Sequence, residues 1–143
     1  MAITSAIATS FKVEILKGVH NFTASSGNTF NLALYTSDAS LGAATTAYTT
    51  SNEVSGSGYT AKGNALTSVT PVASSTTAVC DFADTSFTSA SFTARGCMIF
   101  NDSASGDPTV CVIDFGSDKT VTSGTFTIQF PTADASNAII RIA

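Results

Sequence analysis

From residue 29 onward the chain is divided into short runs in which β-branched and aromatic residues alternate with small polar ones. The runs are TFNLALYT (29–36), NALTSVT (64–70), TAVCDF (77–82), SFTARGCMIF (91–100), TVCVIDFG (109–116), GTFTIQF (124–130) and NAIIRIA (137–143). Each has strand length and a period close to two, and turn-forming clusters such as SDAS, SGSG, NDSASGDP and GSDKT stand between them. No convincing helical period separates the runs, so a parallel sheet with crossover helices is excluded. The pattern predicts an all-β fold, an antiparallel β-sandwich or jelly roll of about seven to eight strands. The 143 residues are the length of one domain, and 1–143 is read as one. Phe30, Leu32 and Leu34 mark one inward face, and Phe126, Ile128 and Phe130 mark another.

Residues 1–10 read as an extended N-terminal arm. The segment that follows, SFKVEILKGVHNF (10–22), carries two patterns. Phe11, Val13 and Ile15 alternate as in a strand. Ser10 as N-cap and Gly18 as the C′ residue bound a two-turn helix, with Phe11, Ile15 and Leu16 as its buried stripe. A short helix is the preferred reading. Further along, the loop NDSASGDP between two apolar runs predicts a hairpin. Pairing centred on Ala104 sets Cys97 opposite Cys111 and Ile99 opposite Thr109.

Charge narrows the function classes. Only 11% of residues are charged, against a usual value of about 25%. Solubility therefore rests on hydroxyls, and part of the surface is expected to be covered by other protein chains, a homo-oligomer among them. The net charge is −4, and the six basic residues, Lys12, Lys17, Lys62, Arg95, Lys119 and Arg141, are scattered singly. Nucleic-acid binding needs them clustered, so no nucleic-acid partner is expected. No apolar run approaches the roughly 18 residues of a membrane span, and MAITSAIATSFK lacks the basic head and long apolar core of a signal peptide. A chain made and kept in the cytosol, without a membrane partner, is the expectation.

No constellation of catalytic, cofactor-binding or metal-ligating residues emerges. Cys80, Cys97 and Cys111 lie in apolar runs without metal spacing and read as reduced core residues. A cross-strand bond between Cys97 and Cys111 is sterically open but strained. His20, the one histidine, has no signature that brings a nucleophile to it and reads as a structural hydrogen-bonder. Asp81 with Asp84 and Asp114 with Asp118 invite a glycosidase or calcium reading, yet both pairs straddle strand ends, where Asp starts turns. In NDSASGD, Ala104 and Gly106 stand where a calcium loop needs side-chain oxygens. Arg95, before Gly96 in an apolar strand, needs either a buried partner or a place at an edge from which it reaches a neighbouring chain. Phe82, Phe87 and Phe92, five residues apart, fit neither regular period and read as core anchors on bent strands.

The order SFKVEILKGVHNF, TFNLALYTSDASLGAATTAY, NEVSGSGYTAKGNALT, DFAD with FTARGCMIFND, and DPTVCVIDFGSDKTVTSGTFTIQFP resembles a family of small virion structural proteins of tailed bacteriophages, over Ser10 to Pro131. The resemblance implies that Gly56, Gly58 and Gly63 shape turns leading into a strand rather than hold a ligand. It implies no enzymatic motif and a location in the virion, assembled in the bacterial host cytoplasm. Small, acidic, strand-rich proteins of this kind are similar to head decoration or cement proteins, whose partners are the major capsid protein or other virion proteins. A homo-oligomer, with a trimer favoured, is expected on the capsid exterior. A neck, tail or fibre component and a receptor-binding module are the alternatives.

Overall fold

The structure is a computed structural model that describes residues 2–143. It is all-β apart from one short helix, with eight strands in two antiparallel sheets. The strands are β1 (Ala6–Ile7), β2 (Phe30–Tyr35), β3 (Asn64–Ala65), β4 (Ser68–Ser74), β5 (Thr77–Phe82), β6 (Thr85–Asn101), β7 (Thr109–Ile128) and β8 (Ile140–Ile142), and the helix α1 spans Thr9–Leu16. One sheet has the order β1-β7-β6-β2-β3 and the other β4-β5-β8.

The main core lies between the sheets. Phe30, Leu32 and Leu34 of β2 meet Phe82 of β5 and Ile140 of β8, with Phe11 and Phe22 closing one end. Phe22 and Phe30 stack with centroids 4.3 Å apart. A second cluster covers the opposite face of the larger sheet, where Ala33, Tyr35, Met98, Phe100 and Val112 pack under Ile3, Ala39 and Leu41. The inward face expected at Phe30, Leu32 and Leu34 is therefore present. Phe126, Ile128 and Phe130 are only half-buried at its margin.

Three local expectations change. The run read as NALTSVT splits into β3 and β4, because the chain passes from one sheet to the other between Ala65 and Ser68. GSDKT does not reverse the chain. β6 continues alongside it, so its turn chemistry is absorbed as a bulge in β7: from Gly96 to Ala94 on β6, the facing register on β7 moves from Asp114 to Lys119. Gly116, at φ +79°, sits within that bulge, and its N–H donates to Asp114 Oδ1 at 3.0 Å. The hairpin register is also shifted by two from the one expected: Cys97 faces Ile113, Ile99 faces Cys111 and Phe100 faces Thr109. The cause is an irregularity at Ile99/Phe100 together with a tip in which the Asn101 N–H donates to the Pro108 carbonyl. The two cysteines are thus diagonal neighbours rather than direct partners, and all three cysteines are free thiols.

The helix forms where expected, with Gly18 at φ +72° just past its C-cap Lys17. Its start and stripe differ. Ala8, not Ser10, is the N-cap, because the Ala8 N–H is held by the Val110 carbonyl and the chain must turn into the helix directly after β1. Phe11 and Ile15, one turn apart, face the core, whereas Leu16 lies round the cylinder and is 89% exposed. Of the N-terminal arm, residues 2–8 are extended and packed, with β1 paired to β7 and Ile3 bridged to Leu41, whereas Thr9 and Ser10 already belong to α1 and residue 1 lies outside the described residues.

Burial pushes the Cys80 thiol up to about 11 and the Cys111 thiol up to about 12, and it raises Cys97 as well. Native protein at pH 8 should therefore resist alkylation at Cys97 and Cys111 and react slowly at Cys80, with all three labelled in denaturant. Rapid native labelling of Cys97, read by mass spectrometry, would contradict the packing described.

Candidate functional site

The chemistry-bearing side chains are engaged inside the fold. The glycine-rich segment 51–63 is a strap across β2 and β6, anchored by Glu53. Its Oε2 accepts from the Tyr48 hydroxyl at 2.6 Å, and its Oε1 accepts from the Tyr59 hydroxyl at 2.6 Å and the Lys62 N–H at 2.8 Å. Tyr59 in turn accepts from the Leu34 N–H at 2.9 Å. Lys62 reaches from the strap to the hairpin tip, where its Nζ donates to Asp102 at 2.7 Å and Asp107 at 2.8 Å. Those two aspartates are the carboxylates of the loop whose sequence superficially suggested a calcium site, and their partner is an ammonium. The strap lies so close that an added Cβ at Gly63 would collide with the Leu32 carbonyl oxygen, and one at Gly58 would meet Thr88 O at 2.6 Å. These glycines serve close backbone packing. Gly63→Ala, at φ +65° and without space, should destabilise by about 3 kcal/mol or more, and Gly106→Ala, at φ +83° in open space, by about 1 kcal/mol; denaturant melts compare the two.

His20 is buried among Phe11, Phe22 and Phe30. Its Nε2 lies 2.8 Å from Glu14 Oε2 and its Nδ1 3.1 Å from Asn101 Nδ2. Asn101 Oδ1 accepts from Ser103 Oγ at 2.9 Å. This network assigns the Nε2–H tautomer, with Asn101 donating to Nδ1. The ring ties the helix to the hairpin tip, and Ser103 bonds to Asn101 rather than to the imidazole, so the arrangement does not activate a hydroxyl.

The carboxylate pairs are not brought together as acid and base. Asp84 Oδ1 accepts from the Phe130 N–H at 2.8 Å, Asp114 caps its own bulge, and Asp118 pairs with Arg95 Nε at 2.9 Å. Asp81 lies on β5, half-buried. Among the described residues no cluster of three or more His, Cys, Asp or Glu side chains could hold a metal ion. Phe87 and Phe92 do share the core, because register shifts on either side of Ala90 restore to one face two residues that a regular strand would point apart. No helix among the described residues is long and apolar enough to cross a membrane.

What the surface offers instead is apolar. Val13 and Leu16 of α1, Val69 and Val72 of β4, and Ile142 of β8 are exposed, at 44% to 89%. Between α1 and the smaller sheet lie two concavities of about 290 and 450 Å³ that share Ile15, Ile140 and Ile142. Lys12 and Arg141 stand at the rim of the first. The result is an apolar face with a cationic border. Sequence reasoning missed it because it assigned Leu16 to the core. The available signal was spacing: Ile15 follows Phe11 by four residues and shares its face, whereas Leu16 follows by five and points about 140° away on a helix of 3.6 residues per turn. No protein-family model, curated protein or solved structure matches the chain.

The tyrosines report on the strap. Loss of water and then the bond to Glu53 push Tyr48 up to about 12, and burial raises Tyr35 and Tyr59 further. Because the neutral phenol is favoured in the folded state, this contribution to stability is full below the ordinary phenol value of about 10 and is lost as pH rises through the folded values. Folded protein at about pH 11 should show little tyrosinate absorbance, whereas unfolded chain titrates near 10. Stability measured by denaturant should fall above about pH 10.

Proposed function

We propose that this chain is a non-enzymatic structural component of a bacteriophage particle, a decoration or cement protein that binds the capsid exterior as a homo-oligomer and bridges neighbouring capsid subunits. The observation that carries the proposal is the apolar face of α1 and β8. Leu16 at 89% and Ile142 at 54% exposure stand over two shared concavities, in a chain with few charges to keep such a surface solvated. The resemblance to small virion proteins supplies the setting. The mechanism is mechanical: packaged DNA strains the shell outward, and each bound copy adds contact area across a seam. Interfaces of standard size, about 1,600 Å², resist such separation without chemistry.

The test uses a phage deleted for this chain. Its capsids should assemble but release DNA at lower temperature, and purified protein added back should restore resistance, since binding to the mature lattice stabilises that state. Leu16→Asp, which changes an exposed side chain, should fold and fail to restore. Heads of normal heat stability would overturn the proposal. If such virions fail to adsorb, a receptor-binding role is indicated, and if filled heads lack tails, a neck or tail role.

A further inference from the structure

The larger sheet has an open edge. β1 covers β7 only at Cys111 and Val112, and Ser5 Oγ accepts the Asp114 N–H at 2.8 Å. Beyond that point, among the described residues, no backbone hydrogen bond joins the outer edge of β7 to a third strand. The segment Thr120–Ile128, TVTSGTFTI, is uncharged, rich in β-branched residues and free of proline. Unpaired edges of this composition are templates for another strand, and proteins blunt them with charge, proline or brevity when they are to stay single. The other sheet is guarded by proline and brevity: β4 carries Pro71 and β8 has three residues, whereas the Thr120–Ile128 edge of β7 has neither and is broken only by a bulge at Thr122–Ser123. Beside the β7 edge runs an apolar groove of about 540 Å³, lined by Ile113, Phe115, Phe126, Ile128 and Phe130, with Lys119 its one charged lining residue.

We infer that the β7 edge pairs antiparallel with the β7 edge of a second copy, joining two five-stranded sheets across a twofold axis. A head-to-tail ring needs a second, different edge of matching length. β1 and β3 have two residues each, β8 has three, and β4 is interrupted by Pro71, so no such edge is present. The charges also suit self-pairing. About a twofold axis at Gly124, with the Thr122–Ser123 bulge opposite Thr125, Phe126 faces Val121, Ile128 faces Lys119 and Gln129 faces Asp118, so no like charges meet. The bulge at Ser123 directs its N–H inward to Ser91 Oγ at 2.9 Å, and the new ladder runs on either side of it. Nine residues span roughly 30 Å at about 3.3 Å each. A contact of that length falls at the low end of specific interfaces, about 1,200 Å² or less, with the two apolar grooves side by side on one face. The association is therefore concentration-dependent. It makes a twofold dimer, rather than the trimer expected from the sequence, the basic oligomer, and it holds whether or not the chain binds a capsid.

Sedimentation of the purified chain should give twice 14.5 kDa at high concentration and 14.5 kDa on dilution. Hydrogen exchange of the Thr120–Ile128 amides should slow as the dimer forms. Thr125 is exposed, and across the axis its two copies stand diagonally about 7–8 Å apart. Thr125→Lys alone and Thr125→Asp alone should fold, with unchanged circular dichroism, and weaken the dimer at least tenfold. An equimolar mixture of the two should recover it. Ala73→Lys, on the β4 edge, should leave the dimer as it is. A wild-type chain that stays monomeric at every concentration, a dimer without slowed exchange at Thr120–Ile128, or Lys and Asp variants that dimerise like the wild type would each overturn the inference.

Discussion

The fold depends on burying both faces of β2. All six residues from Phe30 to Tyr35 are buried, and alternation along a strand sends Phe30, Leu32 and Leu34 one way and Ala33 and Tyr35 the other. One side is covered by the smaller sheet and the Phe11–Phe22 end of the chain. The other has no sheet to cover it, and the long connection after β2 does so, with Ala39 and Leu41 as its contacts. Such a connection has few ladder bonds of its own and must be tied down. Tyr35 does this from beneath by donating its hydroxyl to the Thr49 carbonyl at 2.7 Å, and Glu53 does it from the side.

The same economy explains how a chain with so few charges uses them. Lys62 clasps the hairpin tip, Arg95 and Asp118 span β6 and β7 across the bulge, and Glu14 meets His20 beneath the helix. The first two join segments distant in sequence, and the third ties the helix to the residues just after it. Exposed ion pairs contribute little stability, roughly 0–1 kcal/mol, so their value here is in fixing which loop lies against which strand. Charge spent in this way is not available to solvate a surface, and Val13, Leu16 and Ile142 are left in water. The internal network and the apolar exterior are two sides of one allocation.

Sheet class, the existence of the helix and the inward face of β2 were legible because each is written as a local period. Long-range features were not. Nothing near Lys62 in sequence announces Asp102 and Asp107, and nothing near Glu53 announces that Tyr48 and Tyr59 converge on it from either side. The hairpin register failed by two residues because the irregularity at Ile99/Phe100 is decided by how the tip docks, through Asn101 and His20, on a part of the chain some eighty residues earlier. GSDKT was misread for a related reason: a turn sequence reverses a strand only when the neighbouring strand also ends, and β6 does not. Sequence reasoning could single out His20 and the carboxylates, but which apolar residues stay outside follows from packing that no local pattern encodes.

The pairing of Ala6 with Val112, and of His20 with Asn101, has a kinetic consequence. β1 has no partner until β7 exists, and the helix has no hairpin tip to dock against until the chain has turned at Pro108. Until the β6–β7 ribbon closes from its tip, this N-terminal segment has only its nearer partners, the Leu41–Ala43 stretch and the rings of Phe22 and Phe30. Folds dominated by such distant contacts form slowly. For this chain the N-terminal segment is a clasp whose two halves lie some hundred residues apart, so its docking on β7 and the hairpin tip requires that ribbon to be in place.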